Sequence, residues 1–332
     1  MQPGLRFAYA RVPDAHTFLA VLLLGGSVAC ASAGDRGPST ASTAEGERIR
    51  RIRHGLELIE HQKRVDIVVE NLIRALPGGS GPDSALYGGV HVADFGGTHG
   101  RQLAEAIGLR HAARPFVYGI DPVGPAAESG LERGDQILTL AGRAVRRAQD
   151  FNDALGDLSE ESDLTLEVLR RDRRQSFTLP RRYRPRDLTL VLVADGRVIN
   201  AFANRHGILL TTGMLQFLRG ADELAVVLGH EVAHLVRGHL SGSYVGFGFN
   251  PAFSRDLERE ADRYGLELAH KAGYDAGAGL DIWQRFASEI PAAFHHHQGA
   301  HETHPTSGER RLLARKVVER LGPPLRPHGS GR

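Results

Sequence analysis

The sequence predicts an α+β protein with two folded domains, and three observations support this prediction. Its 332 residues exceed the usual size of one domain, and a hydrophobic content of 41% is sufficient for buried cores. Helical periodicity marks residues 47–75, 224–240 and 254–274. Short apolar segments with alternating patterns, separated by turn residues, indicate strands between these helices.

The first 30 residues have the pattern of an export signal. Two arginines precede an apolar run at 17–29, which is short for a transmembrane helix. The single cysteine, Cys30, follows directly and resembles the acylated cysteine of bacterial lipoproteins, although Ser27 stands where that motif usually has leucine. Ordinary signal cleavage after residues 31–33 is the alternative. We therefore expect a periplasmic location in the bacterial cell envelope, with a lipid anchor at Cys30.

The segments after this signal lead to the first domain. Residues 31–46 are rich in Ser, Thr, Ala and Gly, which predicts a flexible tether. Residues 47–76 predict a helix that ends at Pro77 and packs on the later domain. Residues 78–100 contain many glycines and indicate no particular element.

Residues 104–182 predict a separate small β domain. The stretch GPAAESGLERGDQIL at 124–138 is similar to bacterial PDZ domains, and a helix at 148–155 and a hairpin at 164–179 follow in the expected order. PDZ domains add an extended peptide to a sheet edge and often bind its C-terminal carboxylate. We place the loop for that carboxylate at residues 107–109. A spacer domain without peptide binding is the alternative.

Three short strands are predicted next. Residues 188–193 and 198–203 are expected to form a hairpin across the Asp195-Gly196 turn, and residues 208–212 add a third strand.

The strongest functional signal is the sequence HEVAH at 230–234, inside the helix predicted at 224–240. His230 and His234 are four residues apart, so both imidazoles lie on one helix face and can bind one metal ion. Glu231 lies about 100° around the helix, beside the metal, where it can take a proton from a metal-bound water. A buried amphipathic helix with two polar-facing histidines is the alternative.

The helix at 254–274 supplies the rest of a metal site. A catalytic zinc site needs three protein ligands and an open position, and Glu258 can be the third ligand. Asp262, one turn later, can accept the free ring N–H of a ligating histidine. Ala261 and Gly265 are small and allow two helix backbones to approach closely. A solvated, charged helix face is the alternative.

The sequences HEVAH, SRDLEREADRYG and AGYD together resemble the HtpX-like and CAAX-prenyl-protease-like gluzincin zinc metallopeptidases, which pair HExxH with ExEADxxG. The resemblance covers residues 183–322 and implies a zincin-like α+β domain of active-site helices and a small sheet. It also implies Glu231 as the general base and Asp262 as a carboxylate behind the metal ligands. The implied cofactor is one Zn²⁺ per chain, with these ligands: His230, His234 and Glu258. The metzincin pattern does not fit, because His239 lies one position short of its third histidine.

Two further features belong to the same resemblance. His304-Pro305 with Arg310 matches an HPxxxxR motif, which implies that His304 lies near the zinc and stabilises the oxyanion or gates the site. A solvated, His-rich loop is the alternative. The resemblance also implies an edge strand that binds an extended polypeptide substrate, at Asn200, Ala201 and Phe202. An ordinary sheet strand is the alternative. Residues 323–332 are expected to be a disordered tail.

These features predict a zinc-dependent endopeptidase that cleaves exported or envelope proteins, including misfolded ones. One alternative is a chaperone-like envelope assembly or quality-control factor that binds clients through the PDZ-like domain and cleaves rarely. A purely structural zinc site is another. The net charge of +2 argues against nucleic acid as a partner. The expected partners are a polypeptide substrate, a peptide C-terminus and a membrane, the last through the lipid anchor.

Overall fold

The chain forms two compact units in the computed structural model. The first unit comprises Met1–Glu60 and Leu86–Arg182, and the second comprises His61–Ala85 and Tyr183–Arg332. Each unit has its own hydrophobic core. The described residues are 5–7, 40–77, 84–95, 97–111, 113–159, 162–185, 190–193, 196, 198–204, 207–240, 255–289 and 307–323.

The long helix α1 spans Thr40–Ala75 and so includes residues 40–46 of the predicted tether. This stretch has no proline, and its Ala residues favour helix. Glutamate–arginine pairs, Glu45 with Arg48 and Glu47 with Arg51, also support the first turns. The last turns of α1 are buried in the core of the second unit.

Within the described residues, the first unit contains an antiparallel sheet, three short helices and the first part of α1. Its strand order is β1-β3-β4-β5-β7-β8, and β6 pairs with β5. The strands are β1 (Leu5–Phe7), β3 (Val90–Phe95), β4 (Phe116–Ile120), β5 (Gln136–Leu140), β6 (Arg143–Ala144), β7 (Thr165–Arg170) and β8 (Arg173–Thr178). The helices are α2 (Gly97–Ala106), α3 (Pro125–Glu128) and α4 (Ala148–Gly156). Two short strands, β2 (Ser84–Tyr87) and β9 (Arg182–Pro185), lie where the chain passes between units.

Local sequence explains the last hairpin of this sheet. Arg171 and Asp172 both have positive φ, 51° and 62°, as a two-residue turn between twisted strands requires. The hairpin predicted at 164–179 therefore forms, as β7 and β8. The adjacent core contains Phe151, fully enclosed between α4 and the sheet strands.

Residues 107–109 do not form a peptide-binding loop, so the placement of the carboxylate loop there is wrong. Gly108 has a φ of 78°, and the N–H of Leu109 donates to the carbonyl of Ala104 at 2.8 Å. This is the left-handed glycine that ends a helix, here α2, and Leu109 is buried. The glycine turn that directly precedes β3 is at residues 88–89.

The second unit contains a three-stranded sheet in the order β10-β12-β11. Its strands are β10 (Leu190–Val193), β11 (Ala201–Asn204) and β12 (Gly207–Thr211). The predicted hairpin of β10 with β11 is wrong, because β12 lies between them, parallel to β10 and antiparallel to β11. All five residues of β12 are buried, so this apolar strand takes the central position. The hydroxyl of Thr211 also donates to the carbonyl of Val198, which holds the segment before β11 against β12.

Among the described residues, five helices follow or pack around this sheet and form the core together with the last turns of α1. They are α5 (Thr212–Phe217), α6 (Ala221–Val236), α7 (Arg255–Lys271), α8 (Ala278–Glu289) and α9 (Ser307–Leu321). In the part of the chain that the structure describes, none of the helices combines the length and apolarity that a membrane crossing needs.

Helices α6 and α7 touch backbone to backbone. A Cβ atom on Gly229 would lie 2.7 Å from the carbonyl oxygen of Gly265. A Cβ atom on Gly265 would lie 2.6 Å from the backbone nitrogen of His230. The predicted close approach of two helices therefore occurs, and it places the HExxH residues of α6 directly against α7.

Candidate metal centre

Three buried side chains from α6 and α7 meet at one point. His230 and His234 are 5% and 3% exposed, and Glu258 is fully buried. The Nε2 atoms of the two histidines are 3.1 Å apart. A Glu258 carboxylate oxygen lies 3.4 Å from Nε2 of His230, and the other lies 3.5 Å from Nε2 of His234.

These distances fit a zinc ion. Zinc bonds of 2.0–2.1 Å in tetrahedral geometry separate two ligand atoms by about 3.3 Å. Two imidazoles and one carboxylate are also a common donor set for catalytic zinc. Within the described residues, this is the group of histidine, cysteine and acidic side chains that could hold a metal. Glu231 is buried on the same helix but does not belong to the group.

Asp262 and Arg310 fix the orientation of His230 from behind. Nδ1 of His230 donates to the Asp262 carboxylate at 2.9 Å, which leaves Nε2 for a metal. Nε of Arg310 donates to the other Asp262 oxygen at 2.8 Å. The guanidinium carbon of Arg310 lies 3.3 Å from the centre of the Trp283 ring, so the cation also stacks on an aromatic face.

The buried charges shift the proton affinities of this group. Burial lowers the pKa of His230, but hydrogen bonds to Asp262 and Glu258 outweigh burial and raise it to about 10. Burial raises the pKa of Asp262, but the charge of Arg310 and the hydrogen bond from His230 outweigh it and lower that pKa well below its usual range. Asp262 is therefore an anion at neutral pH.

Sequence reasoning missed two residues at this centre, His239 and Trp283. Nδ1 of His239 lies 3.1 Å from Nδ1 of His234, and its side chain is 3% exposed. The signal that could have indicated His239 is the Gly238-His239 pair just after the active-site helix, because a glycine there turns the chain back onto the last turn. No sequence spacing points to Trp283, which comes from α8.

The predicted substrate residues lie at a sheet edge. Ala201 and Phe202 belong to β11, and the side chain of Phe202 is 42% exposed. Among the described residues, no further strand pairs with β11 on its outer side. β11 also packs beside α6, so this edge borders the helix that carries the histidines.

His304 and Cys30 lie outside the described residues, and their roles stay predictions. Arg310 is described: it donates to Asp262, and its Nη2 also lies 3.3 Å from Nδ1 of His230, on the side of that ring away from the metal-binding nitrogen.

The chain matches two known families in consecutive stretches. Residues 175–249 and 241–316 match peptidase family M48, and residues 93–180 match the PDZ domain. The first match contains α6, α7 and the first part of α9, and the second contains most of the first unit's sheet.

Several curated proteins are similar to parts of the chain. The mitochondrial metalloendopeptidase OMA1 of Bos taurus is 31% identical over 36% of this chain and 31% of its own length. The mitochondrial metalloendopeptidase OMA1 of Schizosaccharomyces pombe is 32% identical over 37% of this chain and 43% of its own length. A probable periplasmic serine endoprotease DegP-like of Pseudomonas savastanoi is 37% identical over 24% of this chain and 16% of its own length. The chain thus spans less than half the length of these relatives.

Among solved structures, the HtrA-type protease AlgW with a decapeptide shares 27% identity, with a TM-score of 0.28, over 31% of this chain and 30% of that one. The HtrA3 PDZ domain bound to a phage-derived ligand shares 19% identity, with a TM-score of 0.27, over 32% of this chain and 91% of that one. The family matches, together with the HExxH and ExEADxxG residues that meet at the centre, confirm the predicted resemblance of the peptidase domain. Residues 175–316 are therefore similar to peptidase family M48, and residues 93–180, ahead of most of them, are similar to the PDZ domain.

Proposed function

We propose that this protein is a zinc-dependent endopeptidase. The observation that carries the proposal is the buried triangle of His230, His234 and Glu258, whose donor atoms are 3.1–3.5 Å apart. Bound there, zinc supplies a Lewis acid and lowers the pKa of a coordinated water to about 7. The match of residues 175–316 to peptidase family M48 supports the same activity.

The chain's own residues supply the rest of the chemistry. Glu231 is the general base: its carboxylate accepts a proton from the attacking water and passes it to the nitrogen of the leaving amine. Asp262 holds the ring of His230 by its Nδ1–H, and Arg310 holds Asp262. Because these groups are buried and fixed, little reorganisation is needed when charge develops on the substrate carbonyl.

We also propose that an extended polypeptide binds along β11. The carbonyl of Asn200 accepts from the N–H of Thr211 at 3.0 Å, so Asn200 faces the sheet. Alternation along an antiparallel strand then directs the N–H and C=O groups of Ala201 and Ala203 away from β12. A substrate strand can pair with these groups with little dependence on its side chains. The exposed Phe202 ring offers an apolar contact on one face.

The PDZ domain is proposed to hold a peptide at the outer edge of β3. The chain's own strand β1 pairs there, antiparallel, with Arg6 opposite Asp94. Strand addition at this edge is the mode by which PDZ domains bind peptides. Helix α4 lies alongside, because the Asp94 carboxylate accepts from the N–H of Ala148 at 2.7 Å.

The location is proposed from the N-terminal sequence alone. The apolar run that ends at Cys30 supports export to the periplasmic side of a bacterial envelope and acylation of Cys30. The substrates would then be exported or envelope proteins, including misfolded ones. Cell fractionation tests this: Cys30→Ser should move the protein from the membrane to the soluble fraction, and an unchanged membrane association would rule out the lipid anchor.

The activity is tested with purified wild type and Glu231→Gln. We expect about one zinc per chain in both proteins, and a fall of about 100- to 10,000-fold in casein cleavage for the variant, the usual contribution of a general base. Glu289→Gln, at an exposed carboxylate of α8, is the control and should cleave normally.

Each other result is informative. Equal cleavage by Glu231→Gln and wild type would contradict the mechanism. Zinc in both proteins without cleavage in either would favour the chaperone-like binding role. No zinc in wild type would contradict the metal centre itself.

A further inference from the structure

The end of helix α6 places a third histidine against the metal-ligand candidates. Gly238 has a φ of 72°, and its N–H donates to the carbonyl of Leu235 at 3.4 Å. The N–H of His239 donates to the carbonyl of His234 at 3.1 Å. These two bonds form a Schellman motif, which turns the chain back over the last helical turn. His239 is therefore delivered to His234 by local backbone geometry.

The side chains continue this contact. Nδ1 of His239 lies 3.1 Å from Nδ1 of His234, and the ring centres are 5.1 Å apart at an angle of 74°. His234 presents its other nitrogen, Nε2, to His230 and Glu258. If Nε2 binds a metal, the ring hydrogen of His234 must be on Nδ1, and Nδ1 of His239 must accept it.

A carboxylate lies behind His239. With Nδ1 acting as the acceptor, the neutral His239 ring carries its hydrogen on Nε2, and an oxygen of Glu260 lies 3.4 Å from that atom. Nε of Arg237 donates to Glu260 at 2.7 Å and holds it in place.

We propose that His239, supported by Glu260, is the positioning residue of His234. It accepts the Nδ1–H of His234 and so holds that ring with Nε2 toward the metal, as Asp262 does for His230. Each ligand histidine then has its own partner. The proposal deepens the zinc-peptidase function and rests on it.

A space-filling role for His239 makes a different prediction. If the ring only filled a buried position, a side chain of similar size would replace it without a change in metal affinity. If it positions His234, what matters is a hydrogen-bond acceptor at the place of Nδ1. Asparagine offers that acceptor, because Oδ1 of asparagine and Nδ1 of histidine are separated from Cα by the same number of bonds. Phenylalanine offers the size without the acceptor.

The experiment measures the zinc affinity of the full chain by competition with a chelator, and the melting temperature of each variant. We expect His239→Phe to bind zinc about 10- to 100-fold more weakly than wild type, the usual effect of removing a partner of a metal ligand. His239→Asn should recover most of that loss. His270→Phe is the control, because His270 is a buried histidine of α7 outside the centre, and its zinc affinity should match wild type.

Two results would overturn the inference. Wild-type zinc affinity in His239→Phe would show that the contact does not position His234. Equal losses in His239→Phe and His239→Asn would show that the acceptor is not what matters. Both are distinct from failure of the proposed function, in which the wild type itself binds no zinc.

Discussion

At the residue scale, the site depends on how buried charges are compensated. Glu258 and Asp262 are two carboxylates in an apolar interior, where an uncompensated charge is very unfavourable. Asp262 is compensated by Arg310, whose cation also stacks on Trp283. Glu258 instead faces the two Nε2 atoms, as a metal ligand would.

The parts of this centre that depend on residues close in sequence could be predicted, and the parts that depend on distant residues were harder to predict. The helix repeat alone predicts that His230 and His234 share a face, because four-residue spacing is a local property. Glu258 and Asp262 lie on another helix, where their four-residue spacing made them candidates and the resemblance assigned their roles. The stack of Arg310 on Trp283 depends on how α8 and α9 pack in three dimensions, and no sequence spacing encodes it.

The pKa of His230 predicts that zinc binding releases protons. Hydrogen bonds to Asp262 and Glu258 give His230 a pKa of about 10, so its ring is a protonated cation at pH 7.5. Zinc must displace one of the two ring protons. Zinc affinity should therefore rise with pH up to that pKa and fall as the pH is lowered. Calorimetry at pH 7.5 in two buffers with different ionisation enthalpies should give close to one proton released per zinc. A site whose histidines had the ordinary pKa of about 6.5 would release only about 0.2 proton.

At the element scale, the contact of α6 with α7 determines whether the ligands meet. Gly229 and Gly265 allow the two backbones to touch. The small residues of α7 predicted this approach. The order of the β-sheet was harder to predict, because the turn at Asp195-Gly196 is a local signal, whereas the burial that makes β12 the central strand is a tertiary property.

The variant Gly265→Ala tests this helix contact. Alanine favours helix over glycine by about 1 kcal/mol, but its Cβ would lie 2.6 Å from the backbone nitrogen of His230, so α6 and α7 must separate. We expect a net loss of about 1–3 kcal/mol in the free energy of unfolding and weaker zinc binding, because the donor atoms come from both helices. Denaturant unfolding and chelator competition measure the two effects. Gly46→Ala in α1 is the matched control, because its Cβ would meet only the Arg50 side chain, at 3.9 Å, and it should not destabilise the protein. A Gly265→Ala protein as stable as wild type would contradict the close contact.

At the scale of the whole molecule, the export signal proposed for the N-terminal segment and its pairing with β3 exclude each other in one mature chain. The sequence predicts that processing at Cys30 removes the residues before it. The structure pairs Leu5–Phe7 with β3, at the edge proposed to bind peptides. Processing would therefore remove β1 and open this edge. The unprocessed chain should be the form whose PDZ domain is blocked.

If β1 blocks the edge of β3, two lengths of the protein should differ in peptide affinity. A chain that begins at Ala31 should bind a labelled peptide with an apolar C-terminus more tightly than the chain of 332 residues, because the peptide need not displace β1. Fluorescence anisotropy measures both affinities. Arg6→Pro in the full chain removes a backbone N–H and disfavours the strand, so it should bind nearly as well as the shorter chain. Equal affinity in the full and shortened chains would mean that β1 does not compete for the edge of β3. Weaker binding in the shortened chain would mean that β1 supports the PDZ domain instead of blocking it.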